Sequence, residues 1–129
     1  MKLAVVAGLV LSISTSSVYA QESLGGKYSG GYMQTTNSGD KLVTVVLDIT
    51  SVESGKVKAK AVRGAYGNRG PGLACAGEYQ MEGTYENNKL VIKSVAGPGG
   101  LDCSLGFVLV AEGNKLKGTF GKRDVELSK

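Results

Sequence analysis

Apolar and polar residues alternate along most of this chain with a period of two. The longest such run is Lys41 to Val52. Val43, Val45, Leu47 and Ile49 share one face, and Leu42, Thr44, Val46, Asp48 and Thr50 take the other. Successive side chains of a strand point to opposite sides, so the first set predicts a core face. Lys56 to Val62 repeats the pattern, with Val57, Ala59 and Ala61 inward and Lys56, Lys58 and Lys60 outward. Ala76 to Glu86 places Tyr79, Met81, Gly83 and Tyr85 together, opposite Glu78, Gln80, Glu82 and Thr84. Leu90 and Ile92 mark the next run. Cys103, Leu105, Phe107, Leu109 and Ala111 mark another, and Leu116, Gly118 and Phe120 a further one before a short Val125 to Leu127. At the start, Tyr28 and Tyr32 share a face at strand spacing, and Thr35 to Asp40 reads as a polar loop.

Ser54-Gly55, Asn87-Asn88 and Gly113-Asn114 punctuate these runs. Such residue types tolerate the positive φ of tight hairpin turns. No helix-period segment of useful length occurs. The pattern predicts an all-β fold, an antiparallel meander of seven to eight strands. Closure into a small barrel removes the exposed edges such a meander would leave. About eight strands enclose just enough room for side chains or one small ligand. The small inward residues Ala59, Ala61, Gly83 and Gly118 leave two options: a cavity, or room for the tyrosines opposite.

Two Gly-rich stretches interrupt the alternation, Arg63 to Ala74 and Ala96 to Asp102. They hold both prolines of the chain, and each leads into a cysteine, Cys75 or Cys103. Before them, at the N-terminus, Lys2 precedes an apolar stretch from Leu3 to Ile13, and a small-residue segment ends at Val18-Tyr19-Ala20. This is the pattern of a secretory leader over residues 1–20. The apolar run is shorter than the about 20 residues a membrane span needs. The expected mature chain, residues 21–129, is long enough for one domain with a small core. Two cysteines in an exported chain predict a Cys75–Cys103 disulfide. Secreted or periplasmic placement follows from the leader.

Composition removes several function classes. The chain has no histidine and no tryptophan. It therefore offers no Ser-His-Asp or Cys-His arrangement and no standard zinc-hydrolase site. Glu78 and Glu82 share a strand face, but four residues of strand separate them by about 13 Å, beyond both glycosidase spacings. Gly97-Pro-Gly-Gly100 lacks the Lys-Ser/Thr ending and following helix of a P-loop. The formal charge of +4 is dispersed over many segments, which points to no nucleic-acid partner. No cofactor, no metal and no enzymatic activity are expected, and a monomer is.

The opening Gly26-Lys-Tyr28-Ser-Gly, the run of hairpins and the closing Leu116-Lys-Gly-Thr-Phe120 resemble the small calycin barrels, the lipocalin and avidin group. In lipocalins a Gly-x-Trp near the N-terminus plugs the closed end. The resemblance implies that Tyr28 stands in that place. Avidin-type biotin sites rely on tryptophans, so biotin binding does not carry over.

What remains is a binding module. Its ligand is expected to be a small apolar or anionic molecule, or an envelope or extracellular protein, met at the loop end of the barrel. Arg63, Tyr66 and Arg69, with Asn68 and Asp102, supply residue types that binding sites use. Tyr28, Tyr79, Met81 and Tyr85 would line an interior. The competing expectation is an envelope interaction protein with a filled barrel and no small ligand.

Overall fold

A computed structural model describes residues 24–66, 71–99 and 103–129. The leader segment and the candidate residues Asn68, Arg69 and Asp102 lie outside that set. Eight strands follow in order: β1 Gly26–Thr36, β2 Gly39–Glu53, β3 Lys56–Arg63, β4 Gly77–Glu86, β5 Lys89–Ala96, β6 Gly106–Glu112, β7 Lys115–Phe120 and β8 Arg123–Ser128. Every neighbour in sequence pairs antiparallel, and β8 returns to β1, so the sheet is a closed barrel. One helical turn, α1 Pro71–Ala74, sits between β3 and β4. A disulfide joins Cys75 to Cys103, 28 residues apart in sequence.

The period-two pattern becomes the inside and outside of the barrel. Burial along β3 alternates without a break, from exposed Lys56 to buried Arg63. Val43, Val45, Leu47, Met81, Leu90, Ile92, Leu109, Leu116 and Leu127 pack together along the axis, none more than 1% exposed. Fully burying each such side chain stabilises the fold by roughly 1.5–3 kcal/mol. The inward glycines leave no cavity. A Cβ on Gly83 would lie 1.9 Å from the carbonyl oxygen of Val91, and one on Gly118 would lie 1.9 Å from that of Val108. The neighbouring strand's backbone occupies the space a side chain would take, as happens where strands coil tightly.

The outer face is mostly polar and charged, with Leu42, Val62, Val91, Val95, Val108 and Val110 among its exposed apolar residues. The register sets Lys58 opposite Glu82, and Glu82 opposite Lys93 on its other side. Cross-strand neighbours of opposite charge are favourable on an exposed face. Apolar inside and charged outside is the reverse of a membrane-spanning barrel. No helix among the described residues is long and apolar enough to cross a membrane.

The barrel has two unlike ends. Ser54-Gly55 and Asn87-Asn88 turn at one of them, with φ between 51° and 79°. These positive φ values suit the right-handed twist of the hairpins they close. Both chain-terminal strand ends, Gly26 and Ser128, lie at this hairpin end. The other end carries the 64–76 and 97–105 connections and the disulfide. Here the β1–β2 hairpin runs further than the polar loop expected for Thr35 to Asp40. Thr35 pairs with Asp40 and Thr36 with Gly39. Hydrophobic alternation fades there because the hairpin projects past the core, and backbone pairing alone continues it.

Closure is the shortest seam. Only Ser29, Gly30 and Gly31 of β1 pair with β8. Beyond Gly31 the two strands diverge, leaving a surface groove of about 400 Å³ between Met33 and Leu42 on one side and Lys117 and Asp124 on the other.

Candidate functional site

The residues singled out from the sequence do not form one group. Tyr28 and Tyr85 belong to the hairpin end. The Tyr28 hydroxyl donates to the Leu24 carbonyl at 2.8 Å, and Lys129 Nζ lies 5.3 Å from the centre of its ring. Burial pushes the Tyr28 phenol up, and neighbouring Tyr85 adds to this. Tyr85 is half-buried, and its hydroxyl donates to Asn88 Oδ1 at 3.2 Å. Met81 is buried in the core between the ends.

Arg63, Tyr66 and Tyr79 come together at the loop end. Arg63 is the last residue of β3, and the alternation that buries Val57, Ala59 and Ala61 turns it inward too. It is 6% exposed, and no other charged residue is buried among those described. Its guanidinium carbon lies 5.0 Å from the centre of the Tyr66 ring, which covers one face of the group. The Arg63 guanidinium is a neighbour of the Tyr79 hydroxyl. That hydroxyl donates to the Cys75 carbonyl. Arg63 Nε is buried and has no hydrogen-bond partner among the described residues.

Other residues complete the surroundings. Tyr32, buried on β1, stacks at 4.8 Å on Phe120, which lies 5.2 Å from Phe107. Burial pushes the Tyr32 phenol up, while the positive charges of Arg63 and Arg123 pull the other way. Tyr79 follows the same logic: burial raises it, and Arg63, by charge and hydrogen bond, offsets part of the rise. Both ion pairs among the described residues, Lys115–Glu126 and Lys117–Glu112, are exposed and elsewhere. The glycines of the two loops have local reasons. A Cβ on Gly72 would sit 2.8 Å from the Tyr66 carbonyl oxygen and 3.0 Å from its ring. Gly99 has a φ of 72°, and a Cβ there would lie 2.0 Å from Cys103 Sγ.

A cleft of about 260 Å³ opens on the rim beside this cluster, between Tyr79, Ser94, Ala96, Gly97, Pro98 and Ser104. Among the described residues no three His, Cys, Asp or Glu side chains converge as metal ligands would. Glu78 and Glu82 point outward on β4, Glu78 opposite Val62 and Glu82 opposite Lys58. The sequence reading missed Tyr32, Phe107, Phe120 and Arg123 as members of the loop end. The signal was present for Tyr32: four residues of strand, about 13 Å, separate it from Tyr28, enough to put the two tyrosines at opposite ends.

Comparison with protein families, with characterised proteins and with solved structures returns no significant match.

Proposed function

We propose that the chain is an exported, non-enzymatic binding module of calycin type that takes a small apolar or anionic ligand, or a protein partner, at its loop end. One observation carries this reading: Arg63 is a buried guanidinium whose Nε has no partner among the described residues, set beside tyrosines at the barrel end that carries the disulfide. Burying a charge without a partner is costly. A position that retains one is a position where something else is expected to meet it. The packed axis favours the loop end over the interior as the place of binding. Tyr28 at the hairpin end supports the calycin likeness, since a buried aromatic closes that end as the lipocalin tryptophan does.

The test is native mass spectrometry of the protein purified without denaturation from its own host. A bound mass that is lost on Tyr66→Ala and kept on Lys58→Ala is the expected result. A clean apo mass together with no specific partner in an envelope pull-down would end this reading. A partner captured without any small ligand would favour the second reading, an envelope interaction protein. The groove with half-exposed Met33 and Leu42 beside the β1–β8 seam favours that alternative.

A further inference from the structure

The chemistry of Arg63 narrows what the loop end would hold. A guanidinium presents its donors in the plane of the group, and its faces stack on aromatic rings. Tyr66 already covers one face. The Tyr79 hydroxyl beside the guanidinium has its proton committed to the Cys75 carbonyl. Among the described residues the Nε on the side edge of the group has no hydrogen-bond partner. Nε and the Nη beside it form the fork that matches the two oxygens of a carboxylate.

Charge and shape favour a planar monoanion. Among the described residues one cation is buried, and the Tyr32 and Tyr79 near it are neutral. Arg123 is only half-buried and lies on the Tyr32 side of the cluster. A dianion would leave charge uncompensated in apolar surroundings. A rim cleft of about 260 Å³ shares Tyr79, though not Arg63, with this cluster.

We propose that Arg63 is a carboxylate receptor, gripping the anion in plane through its Nε edge while Tyr66 covers its face. This rests on the loop end being the binding end. The carboxylate belongs either to a small organic acid or to the free C-terminus of a peptide.

The experiment follows the Arg63 Nε–Hε resonance of the full protein by proton–nitrogen NMR at constant ionic strength. The probes are acetate, benzoate, an N-acetylated tripeptide with a free C-terminus, the same tripeptide as its amide, inorganic phosphate and chloride. A saturable downfield shift with a carboxylate, absent with the amide and with chloride, is the expected result. Arg63→Lys, which keeps the charge and loses the fork, should weaken the best carboxylate at least tenfold, read on backbone resonances of the loop end. Saturation by benzoate alone assigns a small acid, and by the tripeptide alone a chain terminus. Tighter saturation by phosphate overturns the carboxylate assignment, and so does the absence of saturation by every probe. A shift of the ligand-free resonance on Asp102→Asn would show that the chain supplies its own counter-ion, and the proposal falls. The binding-module reading would survive any of these failures if a co-purified mass still depended on Tyr66.

Discussion

The two ends of this barrel are built from the same strands and finished in opposite ways. At the hairpin end the connections are as short as hairpins allow, and the buried polar group there, the Tyr28 hydroxyl, has its partner in the Leu24 carbonyl. At the loop end two of the connections are long and cross-linked. The Tyr79 hydroxyl there has its partner in the Cys75 carbonyl, but buried Arg63 has an Nε with no partner among the described residues. Buried polar groups in folded proteins are nearly always paired. The first end therefore reads as a plug that serves stability, and the second as a surface kept for something outside the chain. On the proposed reading, stability and function are separated along the barrel axis.

Substitutions can break or sharpen that contrast. The largest effect is expected from Tyr28→Ala, which removes a large buried ring together with its hydrogen bond. It should cost about 4 kcal/mol in denaturant unfolding while leaving the loop-end resonances in place. If the loop end were disturbed as strongly as the hairpin end, the two would not be separable. Next comes the double change Cys75→Ala and Cys103→Ala. Opening a closure across 28 residues should cost about 3.5 kcal/mol on the chain-entropy account. Its shift changes should be confined to the loop end, with the Ser54-Gly55 and Asn87-Asn88 turns unmoved.

The smallest effect is on titration. Tyr28, Tyr32 and Tyr79 all have phenols raised by burial. A raised folded-state value means that the native state holds its protons after the unfolded chain has released them. The stability contributed is complete below about pH 10, the ordinary phenol value. It is lost as pH rises above that toward the folded values. The two ends differ in how they answer the loss of Arg63. Arg63→Met removes the cation that offsets the rise at Tyr32 and Tyr79, so both should titrate higher still. Tyr28, raised by burial and by Tyr85 at the hairpin end, should not move. Carbon NMR of the phenol ring carbons reads all three. An equal response at Tyr28 would remove the distinction between the ends.

Most of the fold was legible in the residues because alternation has one meaning in a half-buried sheet. Val43, Val45, Leu47 and Ile49 name the core face of β2 without further help, and Asn87-Asn88 names the turn between β4 and β5. The β1–β2 hairpin was longer than expected because Thr35, Thr36, Gly39 and Asp40 pair in solvent, where no hydrophobic pattern is required. The site was less legible. Its seven proposed members were grouped by residue type, and type does not tell one end of a strand from the other. Tyr28 and Tyr85 fell at the hairpin end, Met81 between, and Arg63, Tyr66 and Tyr79 at the loop end. The inward turn of Arg63 followed from the same alternation as Ala59 and Ala61. It was obscured because a charged residue at the start of a Gly-rich stretch reads as loop.

The central claim is that Arg63 is retained for an external partner and not for the fold. Its most direct test is the unfolding free energy of ligand-free Arg63→Met against the unaltered protein at neutral pH. Methionine fills much of the same volume, and the Tyr79 hydroxyl keeps its bond to the Cys75 carbonyl. Replacing an uncompensated buried charge should leave stability unchanged or raise it by about 1 kcal/mol. A loss of about 3 kcal/mol, the size seen when one member of a satisfied buried pair is removed, would contradict the claim. Arg63 would then be a structural residue held by Tyr66 and Tyr79.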